Sequence, residues 1–267
     1  MPNKTILAFG DIVGRIGRDT LADELPGLLA KIKPDLVIAN AENLAHGFGI
    51  TKEIIENLVK AGVDIFTSGN HIWANPRYEE VFADPELNKK ILRPLNDKNQ
   101  EGIGYTIIEK DTGRFLIINL TGIAFMDPEC SSPFHAVDKV LTSLENEKFD
   151  AIIVDFHAEA TSEKAVLGLY LDGRVTGFYG THTHVPTADE RILPKGTAFI
   201  SDVGMVGAHN QAIGGTYETI VEDMKDGGMG KFEIPTAGPV EINGIMIKTK
   251  DGKAAAVNRI RKIVEVG

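Results

Sequence analysis

Short apolar runs recur along the chain, and each ends at a polar residue or a glycine. Runs of this length, bounded by turn-forming residues, are typical of buried β-strands. The predicted strands cover residues 6–9, 36–38, 64–67, 115–118, 151–156, 175–179 and 198–201.

Helical periodicity occupies the space between several of these runs. Residues 18–32 carry leucines at helical spacing, and the pattern ends just before Pro34. Residues 51–61 begin with a Thr-Lys-Glu-Ile segment that is similar to a capping box and starts at Thr51. Residues 162–171 predict a third helix. Strands that alternate with helices indicate a layered α/β fold.

The C-terminal part has a different pattern. Residues 240–250 and 254–266 predict a β-hairpin around an intervening Lys-Asp-Gly-Lys turn. The glycine-rich stretch 204–215 is long enough to form a loop at the rim of a site. Because the chain shows no repeat, low-complexity segment or linker, the simplest prediction is one domain over residues 1–267.

Composition limits the classes of partner. The 267 residues carry a formal net charge of -10, which argues against non-specific binding to nucleic acid or to anionic membranes. An anionic substrate would therefore need a local cationic feature. The single cysteine, Cys130, excludes an internal disulfide framework and a cysteine-rich metal site.

No segment predicts secretion or membrane insertion. The first five residues are polar, and the apolar run that follows is too short for a signal peptide. No apolar stretch approaches the roughly 18 residues that a membrane helix needs. We therefore expect a cytoplasmic protein without a membrane partner.

Side chains able to bind metal stand at the ends of five predicted strands. The carboxyl ends of strands are where sites assemble in open α/β sheets. A lone Asp after a strand is usually a helix cap, and Asn-His is common in turns, so each signal alone is weak. A His-x-His segment is stronger, because its two imidazoles can bind one metal or two adjacent ones. The candidates are Asp11, Glu42, Asn43, Asn70, His71, His157, His182 and His184.

The loop after the first predicted strand is rich in glycine. Its glycines, from Gly10 to Gly17, have Gly-x₃-Gly-x₂-Gly spacing, which matches neither the dinucleotide fingerprint nor a P-loop. We expect the glycines to let the chain turn tightly around Asp11, and Asp11 to bind metal rather than phosphate.

The types of donor atom limit which metals could bind. Carboxylate, amide and imidazole groups without a thiolate suit Fe, Mn, Zn or Co. The donors are too many for one tetrahedral ion, whereas two ions sharing a carboxylate would use them all. Asp11 and Glu42 bring only two negative charges, so two divalent cations would leave the site positive and suited to a phosphate ester.

The motifs resemble those of calcineurin-like metallophosphoesterases, which show D-x-H, GD-x-x-D, GNH, a lone His and GH-x-H in this order. Gly69-Asn70-His71 matches the GNH motif directly. Residues 180–184, Gly-Thr-His-Thr-His, match the GH-x-H motif with one inserted residue. Two positions depart from the pattern. Val13 replaces the histidine of D-x-H, and Ala41-Glu42-Asn43 replaces GD-x-x-D.

These departures, together with the segments 157–164 and 201–205, resemble the bacterial YmdB family of phosphodiesterases from residue 6 to the C-terminus. The resemblance implies a four-layer α/β/β/α sandwich with two mixed sheets, like that of metallo-dependent phosphatases. It also implies a dinuclear iron or manganese site that hydrolyses phosphodiesters such as 2′,3′-cyclic nucleotides.

Carried over by position, the resemblance divides the candidate residues into two metal sites and a proton donor. Glu42 and a hydroxide would bridge the two ions, and His71 matches the family's proton donor. A bridging Glu in place of the family's usual Asp predicts a small change in metal spacing or ligand angle. The first ion would be held by Asp11, Glu42, Asn43 and His184, and the second by Glu42, Asn70, His157 and His182.

Five further residues have two interpretations each. Arg15 and Arg18 could contact a substrate phosphate or could simply be exposed at a helix start. Glu159 and Asp202 could orient ligand imidazoles or serve as cap and turn residues. Trp73 could stack on a nucleobase or could be a half-buried core residue.

Other functions share parts of this pattern. An amidohydrolase is disfavoured, because its His-x-His normally follows the first strand of a barrel. A phosphomonoesterase or protein phosphatase on the same metal core stays open, as does a catalytically silent metal-binding regulatory protein. The retained His71 argues against the last, because binding alone needs no proton donor. We expect a small-molecule phosphodiester as substrate, and a homo-oligomer stays open.

Overall fold

The computed structural model describes residues 3–99, 101–126, 129–228, 230 and 232–266. Its helices are α1 (Gly14–Ile32), α2 (Lys52–Ala61), α3 (Tyr78–Phe82), α4 (Pro85–Asn88), α5 (Pro133–Ser143), α6 (Thr161–Tyr170) and α7 (Tyr217–Lys225). Its strands are β1 (Thr5–Ile12), β2 (Leu36–Asn40), β3 (Ile65–Thr67), β4 (Tyr105–Lys110), β5 (Gly113–Thr121), β6 (Ala151–His157), β7 (Gly177–Thr181), β8 (Arg191–Ile192), β9 (Ala198–Ile200), β10 (Met205–Ala208), β11 (Val240–Lys250) and β12 (Lys253–Val264).

The strands form two mixed sheets of six. The first has the order β12-β11-β10-β1-β2-β3, in which β10, β1, β2 and β3 run parallel and the β11–β12 hairpin runs antiparallel. The second has the order β4-β5-β6-β7-β9-β8, with a parallel centre and antiparallel edge strands. The parallel strands bring their carboxyl ends to one edge of each sheet.

The two sheets pack face to face over a shared core. Successive side chains of a strand point to opposite faces, so alternate residues enter this layer. Ile6 and Ala8 of β1 meet Ile117 of β5 and Ile153 of β6 there, and all four are buried.

The outer face of each sheet is covered by helices. Leu7 of β1 packs with Leu21 of α1 and Ile55 of α2. On the second sheet, Leu116 of β5 packs with Val137 of α5. The resulting order of layers, α/β/β/α, confirms the predicted fold class.

Several element boundaries differ from the sequence predictions. Helix α1 begins at Gly14 rather than at residue 18, and β1 continues to Ile12, so that Asp11 lies inside the strand. Thr51 precedes α2 but makes no side-chain capping hydrogen bond, so the capping-box prediction is wrong. The predicted C-terminal hairpin is confirmed as β11 and β12.

The glycines after β1 have two different physical roles. Gly14 has a φ of +63° and provides the turn into α1. A Cβ at Gly10 would lie 1.7 Å from the Gly204 carbonyl oxygen, and one at Gly17 would lie 2.3 Å from that of Val206. These two glycines therefore allow β1 and α1 to approach the chain at β10, and only Gly14 makes the predicted turn.

The predicted rim loop 204–215 is partly wrong. Residues Met205–Ala208 form the buried strand β10, which pairs with β1 and β11. The small residues of this stretch allow a central strand to pack closely, and only the part from His209 onward is a loop. None of the helices in the described ranges is long and apolar enough to cross a membrane.

Candidate active site

The ends of β1, β2 and β3 in one sheet and of β6 and β7 in the other meet at a cleft of about 420 Å³. Most of the residues predicted to form a metal site line it. They are Glu42, Asn43, His71, His157, His182 and His184. Asp11 lies behind them and is fully buried.

Glu42 joins the loops that follow β2 and β3. Its Oε2 accepts a hydrogen bond from the backbone N–H of Gly69 at 2.5 Å, and its Oε1 accepts one from that of His71 at 2.6 Å. Burial raises the pKa of Glu42 to about 8. The Glu42 carboxylate is thus anchored by backbone donors in the Gly-Asn-His segment.

His157 ends β6 at the centre of the cluster. Its Nδ1 lies 3.0 Å from Oγ1 of Thr181 and 3.6 Å from Oδ1 of Asp11, and its Nε2 lies 3.6 Å from Oε1 of Glu42. Burial lowers the pKa of His157 well below its ordinary value, so this imidazole is neutral at pH 7. A neutral imidazole has the free lone pair that a metal ligand needs.

Gly69 makes room for the His157 ring. A Cβ at Gly69 would lie 2.1 Å from both Cδ2 and Nε2 of His157, a distance that no real contact allows. The glycine of the Gly-Asn-His motif is therefore required by the side chain from the other sheet.

The His-x-His turn carries two imidazoles to different neighbours. The backbone N–H of His182 donates to Oδ2 of Asp11 at 3.0 Å, and Nδ1 of His182 lies 3.1 Å from Nε2 of His157. Nε2 of His184 lies 3.3 Å from Oδ1 of Asn43. Both turn histidines have positive φ, 97° for His182 and 65° for His184, a backbone conformation uncommon for a non-glycine residue.

His71 stands at the wall of the cleft. Its Nε2 lies 3.4 Å from Nδ2 of Asn70, and its ring meets the ring of Phe48 edge to face, with centroids 4.9 Å apart. Burial, together with the nearby imidazoles of His182 and His184, lowers the pKa of His71. Its ring faces the space between the other imidazoles and an apolar wall.

The two acidic residues that could orient ligand imidazoles have different neighbours in the structure. Glu159 Oε2 lies 3.0 Å from Nε2 of His182, as an orienting carboxylate should. Asp202 instead accepts hydrogen bonds from Nζ of Lys164 and from the backbone and hydroxyl of Thr183. It therefore holds the His-x-His turn through Thr183, and not through an imidazole.

The remaining candidates lie away from the cleft. Arg15 forms an exposed ion pair with Asp19, and Nη1 of Arg18 donates to the Leu44 carbonyl at 2.8 Å. Trp73 packs against the helix-side core of the first sheet, in agreement with its interpretation as a core residue.

A buried polar network behind the site was not predicted. Asp155 of β6 accepts hydrogen bonds from the hydroxyls of Thr67 and Thr181 and from Nδ2 of Asn40. Burial raises its pKa to about 7. The one signal in the sequence is the position of Asp155, a charged residue within an otherwise apolar run.

The donors fit cations, although no three His, Cys, Asp or Glu side chains in the described part of the chain form a group that could hold a metal ion as it stands. Oδ1 of Asp11 and Oδ1 of Asn70 are buried without a hydrogen-bond partner among the described residues. In the same ranges, the only basic side chain near the carboxyl oxygens of Asp11 or Glu42 is His157, whose imidazole is neutral and forms no ion pair. Buried carboxylates normally need a cation, either from a side chain or from a metal.

A family model described as "YmdB-like protein" matches residues 7–260. The chain belongs to this family. It is 40% identical over 258 residues to the 2′,3′-cyclic-nucleotide 2′-phosphodiesterase of Bacillus subtilis, covering 96% of each chain. It is 37% identical to a putative phosphatase/phosphodiesterase of Mycoplasma pneumoniae, covering 90% of this chain and 85% of the relative.

Two solved structures have the same fold as this YmdB-like chain. A phosphatase from Mycoplasma pneumoniae superposes with a TM-score of 0.89 at 34% identity, covering all of this chain and 95% of that one. A hypothetical protein from Thermus thermophilus superposes with a TM-score of 0.88 at 35% identity, covering 97% and 99%. The predicted family and the expectation of a phosphoric ester hydrolase are confirmed at the level of the family.

Proposed function

We propose that this YmdB-like protein is a dinuclear-metal phosphodiesterase that hydrolyses 2′,3′-cyclic nucleotides. The observation that carries the proposal is the pair of buried carboxylates, Asp11 and Glu42, each of which lies 3.6 Å from a ring nitrogen of His157 beside the cleft. In the described ranges neither has a lysine or arginine as an ion-pair partner. The printed activity of the Bacillus subtilis relative supports the choice of substrate.

The donors divide between two cations, most simply iron or manganese. Asp11, Asn43 and His184 would hold one ion, and Asn70, His157 and His182 the other, with Glu42 shared between them. When bound, two such ions supply Lewis acidity toward water and positive charge toward the phosphoryl oxygens. They also give an acidic protein the local cationic feature that an anionic substrate requires.

His71 would donate the proton that the departing sugar oxygen needs. Its backbone N–H is fixed by Glu42, and its ring is packed against Phe48, so the imidazole stands in one place at the cleft wall. In a cyclic 2′,3′ ester the leaving oxygen stays attached to the same ribose. Hydrolysis therefore leaves the phosphate on one of the two hydroxyls and the proton from His71 on the other.

A substrate panel tests this function. Protein loaded with Fe²⁺ or Mn²⁺ is assayed on bis-p-nitrophenyl phosphate, p-nitrophenyl phosphate, 2′,3′-cyclic AMP and 3′,5′-cyclic AMP. We expect cleavage of the diesters, with 2′,3′-cyclic AMP preferred, and little cleavage of the monoester. Efficient monoester cleavage would instead identify a phosphomonoesterase, and no hydrolysis at all would identify a binding protein.

Substitutions separate the proposed roles. His71→Ala should keep the metal content and lose turnover by about 10²- to 10⁴-fold, the usual contribution of a general acid. Asp11→Ala and His184→Ala should lose metal, measured by elemental analysis. His135→Ala, an exposed histidine outside the cleft, is the matched control. An empty site in His71→Ala would overturn the assignment of His71.

A further inference from the structure

One wall of the cleft is apolar, in contrast to the metal-binding wall. Phe48 stands there with 43% of its surface exposed, although it is a large apolar residue. Exposed aromatic rings next to a polar site are typical of ligand binding. The mechanism proposed above uses this ring only as packing for His71.

The Phe48 loop is held in place by its own backbone. Gly47 and Gly49 flank Phe48 with φ angles of +94° and +73°, which favour glycine at both positions. The N–H of Phe48 donates to the Ala45 carbonyl at 3.1 Å, and the N–H of Gly49 donates to the Glu42 carbonyl at 2.8 Å. The ring is thus presented to the cleft by a preformed loop that starts at a proposed metal ligand.

A second aromatic residue closes this wall. The ring of Phe232 lies 6.5 Å from that of Phe48, at an interplanar angle of 54°. It packs so closely on Gly215 that a Cβ there would lie 2.5 Å from its Cε2. Ile213, 51% exposed, lines the same cleft. The two tilted rings and Ile213 thus give the cleft an apolar, largely aromatic wall.

We infer that Phe48 and Phe232 bind the nucleobase of the substrate by stacking, an inference that rests on the proposed function. A planar base against one ring face, with the edge of the second ring beside it, is a favourable aromatic arrangement. The position of His71 agrees with this. Its ring is 4.9 Å from that of Phe48, and the carbon that bears the base is bonded to the carbon that bears the 2′-oxygen.

The base would be held but poorly discriminated. Two polar groups that line the cleft already have partners: Nδ2 of Asn43 donates to the Gly47 carbonyl, and the Thr183 hydroxyl donates to Asp202. Stacking tolerates any base and favours those that stack most strongly. We therefore expect all four 2′,3′-cyclic nucleotides to be substrates, with purines bound more tightly than pyrimidines.

The test compares substrates with and without a base. KM and kcat are measured for the four 2′,3′-cyclic nucleotides and for methyl riboside 2,3-cyclic phosphate, which keeps the sugar and the diester. Phe48→Ala should raise KM for 2′,3′-cyclic AMP by about 5- to 150-fold, the range for loss of one base–aromatic stack. It should leave KM for the base-free diester unchanged, because the lost stack contributes binding and not chemistry. Any fall in kcat from the lost packing on His71 should be equal for the two substrates.

Further variants complete the design. Phe48→Trp should restore the low KM for the nucleotides, and Phe232→Ala should repeat the effect of Phe48→Ala more weakly. Phe125→Ala, which removes a ring 90% exposed outside the cleft, is the matched control. An equal rise in KM for the base-free diester would overturn the inference, since Phe48 would then contribute nothing specific to the base. Failure of the unchanged protein to cleave any diester would instead overturn the proposed function.

Discussion

Nζ of Lys164 donates a hydrogen bond to Oδ2 of Asp202 at 2.7 Å, at a place where neither side chain is more than 2% exposed. Asp202 also accepts from the backbone N–H groups of Thr183 and Gly204. The ion pair therefore lies directly under the His-x-His turn, whose two histidines have positive φ. Lys164 of α6 therefore supports the turn after β7 through its ion pair with Asp202.

Lys164→Met should destabilise the protein by about 3–5 kcal/mol, because it leaves the Asp202 carboxylate buried without its cation. The measurement is urea unfolding followed by circular dichroism. Lys139→Met, at an exposed position of α5, should change the unfolding free energy by less than about 0.5 kcal/mol.

A double variant checks the cause of this loss. Adding Asp202→Asn to Lys164→Met removes the unpaired charge, so we expect part of the lost stability to return. A double variant that is less stable than Lys164→Met by the full cost of Asp202→Asn would contradict the account.

Gly69→Ala should abolish most diesterase activity. The added methyl group would lie 2.1 Å from the His157 ring, so either the ring or the loop of Asn70 and His71 must move. Gly27→Ala is the control, because nothing lies within 4 Å of a Cβ at that helical position. There we expect unchanged activity and a gain of about 0.4–1 kcal/mol. A fully active Gly69→Ala would show that the His157 ring can shift without loss.

The sequence locates the strand ends and the donor side chains that follow them more sharply than it locates the other elements of the fold. Strand ends can be located from short apolar runs, and the donors that follow them, such as Glu42 and His157, come together because parallel strands end at a common edge. The division of the strands between two sheets cannot be predicted from apolar runs, because a short buried strand has the same pattern in either sheet. Here the two-sheet arrangement is expected only from the family resemblance.

The parts that could not be predicted depend on contacts between distant segments. β10 has only four residues, Met205–Ala208, in a glycine-rich stretch that predicts a loop, and it becomes a strand through its pairing with β1 and β11. In the sequence, Asp155 is a charged residue that interrupts an apolar strand. Its role depends on Thr67 of the other sheet, whose hydroxyl donates a hydrogen bond to it. Phe48 lies in a loop without a periodic pattern of apolar residues. Its exposure depends on the loop conformation that Gly47 and Gly49 allow.

Asn119→Ala should disturb the site from the second sheet. Its Oδ1 accepts from the backbone N–H of Ser68 at 2.7 Å, and its Nδ2 donates to the carbonyl of Ser68 at 3.0 Å. Loss of these bonds leaves buried backbone groups unsatisfied, at a cost of about 1–3 kcal/mol. We expect lower turnover as well, because Ser68 precedes the Gly-Asn-His segment. Asn258→Ala, exposed on β12, should leave both stability and turnover unchanged.

Metal removal should lower stability in a way that depends on the buried carboxylates. A ligand that binds only the folded state stabilises it, by about 2.7 kcal/mol at a free concentration of 100 Kd. Protein stripped with a chelator should therefore unfold at a lower urea concentration, and Mn²⁺ should restore the midpoint. Asp11→Asn should reduce this Mn²⁺-dependent shift, because it removes a ligand of one of the two proposed ions, whereas His71→Ala should keep it in full. A shift of equal size in Asp11→Asn would place the bound ions elsewhere on the chain.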